Sequence, residues 1–250
     1  MNPKSHKSIA IAGALLLAAV VFVCFFRISW PESGSHQKIP AMLALELPHD
    51  VEEFKAIVHV SGNPVAAAQR ADFAFIACYV IFFFTFAIGV ADDRTMTSMI
   101  LATLVTALMD IGENVSILHA IHTPPATTGM LRTILIFGCA KWIGFFAIVL
   151  AAAVAMQNPP REDGEEREDE TPPRPGFWAG LAALVFRLFA LVGIYGAIAS
   201  FASAAARPLV AISMSGAAMT FTAVLGFYAV GLIWPQVPVP AATSSSTTAS

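Results

Sequence analysis

What most constrains this chain is a succession of six apolar runs, at about 8–26, 71–90, 96–118, 131–156, 177–200 and 208–234. Crossing roughly 30 Å of hydrocarbon as a helix takes about 20 mostly apolar residues. In that medium every backbone N–H and C=O must be bonded within the protein, which leaves helices or closed barrels as spanning structures. Runs of this length predict an all-α, polytopic membrane bundle with six transmembrane helices. The charge balance agrees, since only 12% of the 250 residues are charged, against about 25% in a soluble domain. A net charge of -3 gives no surplus of basic groups to track phosphates, so the expected partner is the lipid bilayer and not nucleic acid. Cys24, Cys78 and Cys139 all fall inside apolar runs, where thiols behave as small hydrophobes.

The polar stretches between these runs divide the chain. Residues 1–26 form an N-terminal anchor behind Lys4 and Lys7; the alternative is a cleaved signal peptide, which would leave five spans. Residues 27–70 lie outside the membrane and carry a short amphipathic helix. Its start is marked by Asp50 as N-cap with Glu53 three residues on, and Val51, Phe54, Ile57 and Val58 form its apolar face. Residues 71–156 hold three membrane helices. Residues 157–176, acidic and then proline-rich, read as a disordered linker. A helical pair follows at 177–234, then a disordered Pro/Ala/Ser/Thr tail at 235–250. Lys and Arg are evenly divided between the two sets of loops, so the orientation rests on Lys4 and Lys7 and places the N-terminus inside.

Ionisable groups are costly in spans and so mark sites of interest. The third run reads Asp110-Ile111-Gly112-Glu113-Asn114, which puts Asp110, Glu113 and Asn114 on one helical face. The second run opens with Asp72, and the fourth carries Lys141. In antiparallel helices joined by a short turn, residues equidistant from the turn lie at one depth. Asp72 and Asn114 flank the turn at 92–94 symmetrically, and Glu113 and Lys141 do the same about the turn at 122–129. All five residues are therefore expected in one layer, nearer the end that bears residues 27–70. Three carboxylates against one ammonium would leave a formal -2 there. A retained proton, a bound cation or Arg187 of the fifth run must offset that charge, with Arg187 snorkelling to the surface as the alternative for that residue.

The first functional reading is a small-solute, ion or proton site. Asp110 and Glu113 would exchange protons or hold a cation, Lys141 would keep one carboxylate ionised, and Asn114 would orient its neighbours. The second is an assembly or scaffold subunit in which buried charges lock helix packing; it predicts that Glu113→Gln with Lys141→Met is tolerated better than either change alone. The third is a lipid-modifying enzyme. No Ser-His or Cys-His nucleophile pair supports it, and its main motif is His119 with His122 at metal-ligand spacing, where interfacial histidines are the plainer reading. His49, Asp50 and Glu53 lack a second ligand cluster. No metal and no cofactor is expected. Glycines at 193, 196, 216, 226 and 231 permit close helix packing within the chain or in a homo-oligomer. Tyr79, Phe82, Phe83, Phe84 and Phe86 form an aromatic wall that is expected to face lipid.

The order of these features resembles an uncharacterised family of bacterial multi-pass integral membrane proteins. The likeness runs over about residues 44–156. It comprises the amphipathic segment from Leu45-Glu46-Leu47 to Val58, the span start Asp72-Phe73-Ala74-Phe75-Ile76 with Tyr79 nearby, the Asp110-to-Asn114 element, and Lys141 in the next helix. The resemblance implies a helical core in a bacterial inner membrane and no particular activity.

Overall fold

A computed structural model describes residues 41–90, 93–157 and 177–233, and among these there is no strand. The helices are α1 (Ala41–Glu46), α2 (Val51–Val90), α3 (Asp93–His122), α4 (Thr128–Gln157), α5 (Phe177–Ala202) and α6 (Arg207–Ile233), with a 3-10 turn at Ala204–Ala206 before the last. Among the described residues four segments are long and apolar enough to cross a bilayer: Val65–Ile88, Arg94–His122, Thr128–Val154 and Ala183–Ala202. The expected first span, the acidic linker and the C-terminal tail lie outside the described residues. The expected sixth span coincides with α6, a helix of 27 residues.

Local chemistry sets the helix starts. The Asp50 carboxylate accepts from the Glu52 N–H at 2.9 Å, and Thr127 Oγ1 accepts from the Met130 N–H at 3.3 Å at the start of α4. Both are N-caps that satisfy amides with no partner inside the helix. Two expectations about 27–70 are corrected. Glu53 does not close a capping box onto Asp50, because its carboxylate is taken by Arg207. The amphipathic helix is not short, since α2 continues unbroken for 40 residues into the membrane-spanning segment.

Helix α3 is apolar outside and polar within. Leu101, Leu104, Val105, Leu108, Ile111 and Val115 are exposed on its outer face, while Thr103, Thr106, Asp110, Glu113 and Asn114 are buried. A soluble helix has the opposite arrangement, so this polarity fits a surround of lipid. The buried hydroxyls bond within their own helix, Thr103 to the Met99 carbonyl and Thr106 to the Ala102 carbonyl, both at 2.7 Å.

Three apolar cores hold the helices together. Tyr79, Phe82, Phe83 and Phe86 are buried against Met99 and Ala107 of α3 and Ile148 and Ala152 of α4. The lipid-facing reading of this aromatic wall is therefore overturned for those four rings: small residues on the facing helices leave room that the rings fill. A second core joins Phe54, Ile57 and Val65 of α2 to Ile117 and Ala120 of α3 and Leu131 and Ile134 of α4. The third joins Leu43 and Leu47 to α4, α5 and α6 through Trp142, Phe146, Phe186 and Val210. The last pair of helices thus packs on the core directly. Close approach explains Gly193, which lies against the Phe146 ring, and Gly196, which lies against Leu209 and Val210.

A carboxylate cluster around one lysine

Helices α2, α3 and α4 bring Asp72, Asp110, Glu113, Asn114 and Lys141 together as the antiparallel symmetry predicts. Lys141 Nζ contacts the Glu113 carboxylate and lies 3.3 Å from Asp110 Oδ1. Asn114 donates to Asp72 Oδ2 at 2.7 Å. Glu113 is fully buried, and Asp110, Asn114 and Lys141 are nearly so.

The structure adds three groups that the polar-span argument did not include. Glu46, the last residue of α1, accepts from Lys141 Nζ at 3.1 Å through Oε1 and from Trp142 Nε1 at 3.1 Å through Oε2. Tyr79 Oη donates to Asp110 Oδ2 at 3.1 Å. Trp142 also sits beneath the ammonium, its ring centroid 5.2 Å from Lys141 Nζ, a cation–π distance. The signal for Glu46 was its flanks, because a Glu between Leu43, Leu45 and Leu47 belongs to a helix with no polar face to put it on.

Burial pushes the Glu46 carboxyl up to about 7; Lys141 pulls it down, and Asp110 and Asp72 push it up again. Three carboxylates now share one ammonium and a fourth, Asp72, stands beside them on Asn114, a formal -3 when all are ionised. Glu113 Oε1 is a buried acceptor with no hydrogen bond, and Asp110 Oδ1 has the Lys141 ion pair alone.

Arg187 does not supply the missing charge at this level. The contact of Gly193 with Phe146 fixes the antiparallel register of α4 and α5 and sets Arg187 opposite residue 152. That is eleven residues beyond Lys141, or about 16 Å along the axis at about 1.5 Å per residue. Arg187 is half-buried there, with interactions of its own.

Away from this cluster, Arg207 of α6 is a buried cation with a carboxylate partner. It is 1% exposed and grips Glu53 with two bonds of 3.0 and 2.9 Å. Beside it, His49 Nε2 meets the Ser200 carbonyl at 2.5 Å, and burial holds the His49 imidazole below its usual range. His119 and His122 are exposed; His122 Nδ1 bonds the Leu118 carbonyl at 2.7 Å, and His119 Nδ1 lies 3.5 Å from Thr123 Oγ1. Among the described residues no group of three or more His, Cys, Asp or Glu side chains is arranged to hold a metal ion.

Gly138 is what lets α1 reach the cluster. A Cβ there would collide with the Glu46 carbonyl oxygen and come within 2.6 Å of Glu113 Oε1. The first obstacle is backbone and cannot rotate away. Gly138→Ala is expected to lower stability by about 1–3 kcal/mol, the usual cost of overpacking, as read by thermal unfolding in detergent. Gly129→Ala, where the nearest atom would be 3.8 Å away, is the control and is expected to be neutral.

No family model, curated protein or solved structure matches the chain, so a functional reading has to come from the cluster itself.

Proposed function

We propose that this is a six-span, multi-pass protein of a bacterial inner membrane, with its N-terminus in the cytoplasm, and that the cluster binds and releases protons or a small cation in the course of translocation. The observation that carries the reading is three carboxylates gathered on a single buried lysine, with a fourth, Asp72, held beside them by Asn114. A charge of that size is expensive in a layer of low dielectric, so bound protons or a bound cation must offset it. A change in that bound number is the chemistry the site can perform. Lys141 keeps a carboxylate ionised, Asn114 orients Asp72, and Tyr79 orients Asp110. The bare Glu113 Oε1 is where a proton or cation would be received, with Asp110 beside it on the same lysine.

Infrared difference spectra of the wild-type protein between about pH 5 and pH 9, which brackets perturbed carboxyls, are expected to show a protonated-carboxyl band that vanishes on raising the pH. Asp110→Asn is expected to alter that band and to abolish proton or cation flux in vesicles while the protein stays folded. A band unchanged by pH, or full flux in that variant, would overturn the reading.

One observation favours the scaffold alternative: the cluster contacts join different helices, α1 to α4, α2 to α3 and α3 to α4. Under that reading Asp110→Asn changes stability alone and leaves no flux to lose.

A further inference from the structure

Helix α1 spans nothing. It has six residues, too few to be stable alone, and it ends on the carboxylate that closes one side of the cluster. Leu43 and Leu47 share a buried core with Leu135, Cys139 and Trp142 of α4, and Gly138 supplies the seat for the Glu46 carbonyl. Beyond Leu47 the chain turns and enters α2. That elbow is fastened across the bundle to the turn between α5 and α6 at two points, His49 to the Ser200 carbonyl and Glu53 to Arg207. Neither fastening contacts Lys141 or its carboxylate partners. The stronger one is a two-bond pair between a fully buried guanidinium and a carboxylate 20% exposed, so water reaches one partner.

From this geometry we propose that α1 is a lid on the carboxylate cluster, latched by the Glu53–Arg207 pair, and that release of the latch opens the cluster to water at the end of the bundle where the elbow and the α5–α6 turn meet. The role of such a lid rests on the reading of the cluster as an exchange site, because it would set the side from which protons or cations enter. Once unlatched, α1 keeps the apolar contacts of Leu43, Ala44, Leu45 and Leu47, the contacts of Glu46 and the His49 bond, so the pair is the one fastening here that carries charge on both sides away from the cluster.

Cys139 provides a native reporter, since it is 5% exposed within the core that α1 shares. Cys78, half-buried on α2, reports loss of structure elsewhere. The full-length protein in vesicles is treated with a water-soluble maleimide, and the rate at each cysteine is read by peptide mass spectrometry. Arg207→Gln is expected to speed labelling of Cys139 by about tenfold or more, as loss of a charge-assisted latch should, with Cys78 unchanged. Arg207→Lys, which keeps the charge but cannot form the two-bond fork, is expected to give a smaller rise and serves as the test if the first variant does not fold. An unchanged rate at Cys139, or an equal rise at both cysteines, overturns the lid. The readout does not depend on titration of the cluster. A selective rise at Cys139 with a pH-insensitive infrared band would keep the lid and remove the exchange site, and the reverse pair of results would do the opposite.

Discussion

Replacing Lys141 by methionine is expected to cost the folded protein about 3–5 kcal/mol at neutral pH, the range found when one partner is removed from a buried ion pair. The reason is the company it keeps. Glu46, Asp110 and Glu113 all contact this ammonium, and methionine restores its volume but none of its charge. Glu113→Gln alone is expected to be mild, because Lys141 keeps Glu46 at 3.1 Å and Asp110 at 3.3 Å and the formal excess of negative charge falls. The paired change Glu113→Gln with Lys141→Met therefore recovers only part of the loss, since Glu46, Asp110 and Asp72 remain. This differs from the symmetric rescue expected from the sequence, which paired Lys141 with Glu113 across the turn. In a chain of this size about 1 kcal/mol corresponds to about 2–4 °C, so the melting temperature in detergent should fall by about 10 °C. Lowering the pH should return part of it as carboxyls take up protons. A Lys141→Met protein as stable as wild type would show that the carboxylates do not depend on the lysine.

How much of this site was legible in the sequence depended on how near its parts lie along the chain. Asp72 with Asn114 and Glu113 with Lys141 were readable because each pair flanks a short turn, and two helices joined by a short turn have little freedom of register. The same arithmetic fails for Arg187, since the segment before α5 is too long to fix how far that helix slides along α4. It fails for Glu53 and Arg207 as well, which are 154 residues apart and meet only because α6 returns to the elbow. Hydropathy found the four described segments long and apolar enough to cross a bilayer but not Glu46, because a six-residue helix ahead of them gives no signal as a span and reads as surface. Lipid and protein interior select the same apolar side chains, which is why the aromatic wall of α2 was placed outside. What separates the two cases is the facing surface, here Ala107 and Ala152, and a single strand of sequence does not show what faces what.

Glu46 gives the second large effect, and its sign is unusual for a carboxylate. Surface acids in ion pairs stabilise a protein as pH rises, whereas the folded state here holds the Glu46 proton more tightly than the ordinary 4.5, up to about 7. The stability this contributes is complete below about 4.5 and is lost as the pH climbs through about 7. With about 1.4 kcal/mol for each tenfold in proton affinity, the rise is worth on the order of 3 kcal/mol. The melting temperature of the wild-type protein is therefore expected to increase as the buffer is taken from about pH 8 to about pH 5, a window that spans the shifted titration. Glu46→Gln is neutral throughout and offers an oxygen to the Trp142 N–H in the same place, so it should lose the part of that increase centred near 7. At the alkaline end it should be the more stable of the two proteins, because one charge has left a layer with too many of the same sign. Identical pH profiles for the two would mean that Glu46 titrates as an ordinary exposed acid, and that α1 does not carry its carboxylate into the cluster.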